Sequence, residues 1–327
     1  MKKKSLFCVL LSILLCFTTF FLNTSQVFAV NEKLYLGGMT AGFSVQTCGA
    51  NIVGLCDVVT KNGVESPSKD IDLQVGDIIK SIDGEQTNSA CDVEKNIKGK
   101  KKVLLEIERD GQIILKNMTL AKDVSGCEKL GVFIKDDISG IGTITFIKGN
   151  RFASLGHPIV ENDGKLLDIL GGKLYKCDIT GCVKGERGNA GELRGVFVKN
   201  NSIANIDKNN EFGVYGSVNE DFDYSQLKEI EIGNAILGDA KIYSTIHGYE
   251  PQSFDVSIIK IENTNNDKNF VIKITDKKLI DITNGIVQGM SGSPIVQNGK
   301  LVGAVTHVFL NDPTRGFGLS INNMINN

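Results

Sequence analysis

The chain has no tryptophan, five prolines and only three histidines, and it carries no surplus of positive charge, its formal net charge being −2. Without a basic field to hold phosphates, nucleic acid is not an expected partner. The scarcity of histidine confines imidazole chemistry to His157, His247 and His307. The eight cysteines are irregularly spaced and match no metal-binding pattern, so neither a metal nor another cofactor is expected. There is no internal repeat and no low-complexity tract. What is present is a chain of 327 residues with 41% hydrophobic residues and 36 glycines. Runs such as IKSIDGEQ (79–86) and FIKGNRF (146–152) read as strands separated by turns, so the fold is expected to be mainly β, in two domains.

Residues 1–29 combine three lysines, an apolar run over residues 5 to 22 and a small-residue site at Val27-Phe28-Ala29. They are expected to export the chain, either as a cleaved signal peptide or as a membrane anchor, because the run is just long enough to span a bilayer. Export leaves six cysteines beyond Cys8 and Cys16. Cys177 and Cys182 are separated as in a hairpin, which makes them the pair expected to form a disulfide if any does.

Residues 34–122 begin with LYLGGMTAGFSV and continue through DLQVGDIIKSIDGEQ and a helix-like SACDVEKNIKGK. They end on a hairpin centred at Asp110-Gly111. This order resembles a PDZ domain, most specifically in Val75–Gly84. The resemblance implies a loop containing Gly37, Gly38, Gly42 and Phe43 whose N–H groups take a peptide's terminal carboxylate, followed by an edge strand that pairs with the peptide. A polar linker covers residues 121 to 129. From 127 to 327 the pattern becomes many short alternating strands, the signature of a sandwich or barrel. GTITFI (142–147) and NRFASLG (150–156) join at Lys148-Gly149-Asn150, and the second delivers His157 onto a turn.

The chemistry is concentrated in Gly289-Met290-Ser291-Gly292-Ser293-Pro294. Glycines on both sides let the backbone turn sharply and present Ser291 outward. A serine hydroxyl attacks only if an imidazole takes its proton and a third group orients that imidazole. His157, on its turn and N-terminal to the serine, is the expected base, while His247 reads as structural and His307, sixteen residues after Ser291 on the next strand, is expected near the wall of the substrate cleft, more a structural than a catalytic residue. The N–H groups of Gly289 and Ser291 are the expected oxyanion donors. The serine loop followed by strand, Asn-Gly turn and strand resembles the second barrel of chymotrypsin-like proteases, and GTITFIKGNRFASLGH resembles part of the first.

The stretches LGHPIVEND, GERGNAGELRGVF and GIVQGMSGSPIVQNGKLVGAVTHVFLNDPTRGFG together resemble the stage IV sporulation protein B family. That resemblance implies a PDZ domain followed by a double-β-barrel serine endopeptidase, exported into the space between forespore and mother cell. It further implies substrates that include the enzyme itself and a membrane-bound regulator of an intramembrane protease, so that a mother-cell sigma factor is activated. Position by position, the nucleophile falls on Ser291, the base on His157 and the acid on Asp276, with Asp163 and Asp168 as competitors for the last role. The rival expectation is an inactive PDZ-containing scaffold that docks its partner.

Overall fold

Asp-Gly and Asn-Gly pairs set two of the hairpins. At Asp110-Gly111 (φ 52° and 75°) and Asn298-Gly299 (φ 51° and 77°) both residues take positive φ, the geometry whose twist matches the flanking strands. The computed structural model describes residues 33–161, 164–262 and 268–326. The export segment, with Cys8, Cys16 and Ala29, and the alternative acid Asp163 lie outside the described residues. From Leu34 onward the chain is one compact unit. Among the described residues no helix is long and apolar enough to cross a membrane.

The principal elements are β1 (Leu34–Leu36), β2 (Thr40–Leu55), β3 (Ile78–Ile82), α1 (Ala90–Ile97), β4 (Lys102–Arg109), β5 (Gln112–Thr119), β6 (Val132–Lys148), β7 (Arg151–Ser154), β8 (Ile169–Val183), β9 (Glu192–Asn210) and β10 (Gly213–Val218). They continue with β11 (Gly238–Ser244), β12 (Gln252–Ile261), β13 (Phe270–Ile274), α2 (Lys277–Thr283), β14 (Pro294–Gln297), β15 (Lys300–Val308) and β16 (Arg315–Ser320). Strands β6-β7-β10-β9-β8-β2 form an antiparallel sheet that closes on itself through β2 and β6. Strands β15-β14-β11-β12-β13-β16 close likewise through β15 and β16. Closure removes sheet edges and turns alternate side chains inward. Phe43, Ile144, Phe152 and Leu174 fill the first barrel, and Ile242, Phe254, Ile272 and Val302 fill the second. Phe146 and Tyr215 from the first barrel meet Leu301, Ala304 and Leu319 from the second in a shared apolar seam. The fold is therefore the expected double β-barrel.

The boundary expected near residue 122 needs correction, because the chain enters the first barrel before residue 48. The Thr40–Gln46 part of β2 pairs with β6 on one side, and its Ala41–Thr47 part pairs with β8 on the other. Gly37 N–H donates to Thr145 O and Gly38 N–H to Ile144 O, so these donors serve the barrel rather than a peptide carboxylate. Gly42 faces Ile141 and Tyr175, and Phe43 faces Gly140 and Leu174. A Cβ on Gly42 would lie 2.3 Å from the ring of Phe197. With both edges occupied, this stretch has no place for an added strand.

The segment between the two halves of that pairing is an insertion. The far half of β2 pairs with β3, and the sheet continues through β4 and β5. α1 seals it with Val93 and Ile97 over Ile79, Ile82, Leu105 and Ile107. Ser89 caps that helix by accepting from Asp92 N–H.

Cys177 and Cys182 also depart from expectation. Both lie on β8, which runs through the stretch proposed as a turn. At about 3.3 Å per residue their separation is roughly 16 Å, whereas a disulfide needs Cα atoms within about 7 Å. Both are free thiols. Burial pushes Cys177 up to about 11, which leaves it un-ionised and unreactive near neutrality.

Candidate active site

The turn carrying His157 is held by backbone strain. Leu155 (φ 66°) and Gly156 (φ 70°) are both left-handed. For a branched side chain such as leucine this conformation is costly unless the surroundings impose it. Here they do: Leu155 N–H donates to Thr143 O and Gly156 N–H to Ser154 O. The half-buried His157 ring then has its Nδ1 2.9 Å from Pro158 O. An Nδ1–H donating to that carbonyl leaves Nε2 with the lone pair a general base needs.

Ser291 sits on the loop between α2 and β14. Gly289 (φ 96°) and Gly292 (φ 91°) are its conformational hinges. A Cβ on Gly292 would come within 2.1 Å of Thr143 O and 2.5 Å of Leu155 N, so only glycine allows the serine loop to approach the histidine turn so closely. Two fully buried threonines of β6 clamp the loop across the barrel seam. Thr143 Oγ1 donates to Gly289 O, and Thr145 Oγ1 donates to Gly292 O, both at 2.8 Å. Thr143 N–H donates to Ser291 O, and Gly292 N–H to Val305 O.

The N–H groups of Met290, Gly292 and Ser293 are all bonded. Those of Gly289 and Ser291 have no acceptor among the described residues, which leaves available the two donors expected for an oxyanion. The Ser291 hydroxyl itself donates to Thr306 O at 2.8 Å. It must rotate off this carbonyl to give its proton to an imidazole. Thr306 touches both halves of the site, since a Cβ on Gly156 would lie 3.0 Å from its Cγ2.

Ser293, the other serine of the loop, is fully buried. Its hydroxyl has no hydrogen-bond partner among the described residues. Removing an unsatisfied buried hydroxyl costs nothing in lost bonds. Ser293→Ala is therefore expected to keep full peptidase activity, with stability equal to the parent's or higher by up to about 1 kcal/mol. Thermal unfolding and kcat on one preparation check this, and a dead, folded variant would mean that the wrong serine has been chosen.

Asp276 does different work from that expected. It is the N-cap of α2, with its carboxylate accepting from Leu279 N–H at 3.0 Å and Asp255 N–H at 3.2 Å. It stands beside Asp255, whose own carboxylate pairs with exposed Lys241. Asp168 is exposed. Asp276→Ala should cost about 1 kcal/mol as a lost cap and leave kcat near that of the parent. Asp276→Asn, which still caps, should cost less. A large loss of kcat in a folded Asp276→Asn protein would restore Asp276 to the catalytic group.

The threonines of β6 and the stretch Thr306-His307 are the site residues that motif reading missed. Thr143 and Thr145 did leave a signal: they flank Ile144, which points into the first barrel, so they occupy the outward face of a barrel strand, and only a neighbour covering that face could bury them. A cavity of about 460 Å³ lined in part by Met39, Phe222, Leu227 and Tyr243 includes neither the serine loop nor the histidine turn.

Two closed six-stranded barrels, a strained histidine turn on one and a glycine-hinged serine loop clamped between them define a serine peptidase of the chymotrypsin-like architecture. The family model for the SpoIVB peptidase S55 matches residues 126–325. The chain belongs to that family of serine peptidases. No curated protein matches it.

Proposed function

We propose that the protein is an exported endopeptidase of sporulation signalling that processes itself near its N-terminus. It then cuts a membrane-bound regulator of an intramembrane protease, and a mother-cell sigma factor is activated as a result. Family membership supports the sporulation peptidase, and the N-terminal sequence supports export. The observation that carries the catalytic reading is the serine loop: Ser291 is hinged by two glycines, with the N–H groups of Gly289 and Ser291 beside it unbonded among the described residues. On this reading Ser291 Oγ leaves Thr306 O, passes its proton to His157 Nε2 and attacks the scissile carbonyl, while the two N–H groups take the developing negative charge.

We infer that the inserted module, whose sequence resembles a PDZ domain, docks peptide, although not at residues 37–43. Val132–Lys135 of β6 pairs with β2 along one edge and has no strand partner on the other among the described residues, and this strand lies next to α1 in the module. An extended peptide adding to its open edge would be held through main-chain hydrogen bonds.

A second reading, a silent docking protein, is favoured by the hydrogen bond that the Ser291 hydroxyl gives to the Thr306 carbonyl. A fluorophosphonate probe decides between them. The expected result is a covalent adduct on the Ser291 peptide and none on the Ser291→Ala protein. Cleavage of substrate with no adduct at Ser291 would overturn the assignment.

A further inference from the structure

His307, which the sequence placed near the wall of the substrate cleft, lies closer to the chemistry than that. It occupies a bulge of β15: Val305 faces Gly318 and Val308 faces Gly316, so three steps on β15 are matched by two on β16. A bulge of this kind re-aims side chains and is common beside active sites. The bulge is supported from beneath by a glycine, since a Cβ on Gly316 would sit 2.5 Å from His307 O. Its effect is to point Thr306 O at the Ser291 hydroxyl and to bring the half-buried ring of His307 to 4.8 Å from the ring of His157, tilted by 39°. The aspartate expected to orient His157 is meanwhile committed to the N-terminus of α2.

From this arrangement we propose that His307 is the positioning residue for the base: its ring, packed against the ring of His157, holds that imidazole in the orientation that accepts the Ser291 proton. The role rests on reading Ser291 and His157 as the reacting pair. Ring contact does by packing what a carboxylate does elsewhere by hydrogen bonding. It restricts rotation of the His157 side chain, and it sets a π-face against the imidazolium that forms once the proton has been transferred. His307 itself exchanges no proton in this scheme and touches no reacting atom.

The test compares His307→Ala and His307→Phe with the parent, using hydrolysis of a short peptide and the rate of labelling by a fluorophosphonate. Loss of base alignment should lower kcat by about 10²-fold in the alanine protein, the size of penalty expected for a small misplacement of reacting groups, with KM little changed. Labelling of Ser291 should slow in parallel, although no peptide is bound. The phenylalanine protein, which restores a flat ring at the same place, should recover most of both rates. If the alanine protein does not fold, His307→Leu replaces it, giving similar bulk without a flat ring.

Three results would each overturn the proposal. One is an alanine protein with unchanged kcat. Another is a rise in KM alone, which would make His307 a wall of the substrate cleft. The third is a phenylalanine protein as slow as the alanine one while His307→Gln is active, which would make the contribution polar. If the parent protein itself shows no Ser291-dependent turnover, the catalytic reading fails first, which is a distinct outcome.

Discussion

Replacing Ser291 with alanine is expected to abolish peptide-bond cleavage while leaving the protein folded. The loss should be on the order of 10⁶ in kcat, the scale seen when the nucleophile of a serine peptidase is removed and only binding and oxyanion donors remain. Folding should survive because the side chain contributes a single hydrogen bond, to Thr306 O, of net value about 1 kcal/mol. The loop is held instead by Thr143, Thr145 and the backbone of Val305. Steady-state kinetics together with thermal unfolding provide the check. Substantial turnover by a pure Ser291→Ala protein would end the case for this nucleophile.

The second large effect concerns where the chain can be cut. A fragment containing only residues 126–327, the natural choice from the family match, is expected not to fold. It lacks β2, so the first barrel loses one of its six strands and the facing edges of β6 and β8 are left unpaired. It also loses Ala41, Phe43 and Val45 from the barrel core. Burying a side chain the size of Phe43 or Val45 contributes roughly 1.5–3 kcal/mol, and a strand's worth of hydrogen bonds goes with it. That is comparable with the whole stability of an ordinary domain, about 5–15 kcal/mol.

The contrasting design keeps residues 34–46 and joins them through a short glycine-containing turn to Asp137, which faces Gln46 across the ladder. This protein should fold and hydrolyse a short peptide, while losing cleavage of a protein partner that the module would dock. Circular dichroism and a peptide assay on both proteins settle the point. A folded, active 126–327 fragment would show that β2 is dispensable.

What the sequence revealed and what it hid follow from the range of the interactions involved. Alternation within GTITFI, the Asp-Gly and Asn-Gly turns and the glycines around Ser291 act over a few residues, so they could be read directly. The partner of a strand is not a local property. LYLGGMTAGFSV alternates as an edge strand would, and nothing within it shows that both of its edges are covered by β6 and β8. Asp276 was assigned by likeness to a family pattern, whereas its local setting, immediately before a short helix, already contained the capping signal that the structure bears out. His307 was hidden because a bulge shifts register by one residue, and the alternation of KLVGAVTHVF does not announce it. Cys177 and Cys182 were misjudged because their separation suits a hairpin, whereas a single strand runs through both.

The inserted module also governs when this protein can become an enzyme. Thr40 emerges early, but its ladder partner Thr143 and the β8 residues that flank it follow only after the whole module has been made, and Ser291 follows later still. A chain exported from its N-terminus, as proposed, would therefore carry its first barrel strand unmatched until residues 137–143 and 169–176 had followed, and its active site incomplete until Ser291 had. Closure then depends on contacts distant in sequence, which form slowly. If the chain is exported as proposed, its active site would assemble only after these distant segments have met, so activity would begin only once the barrel closes.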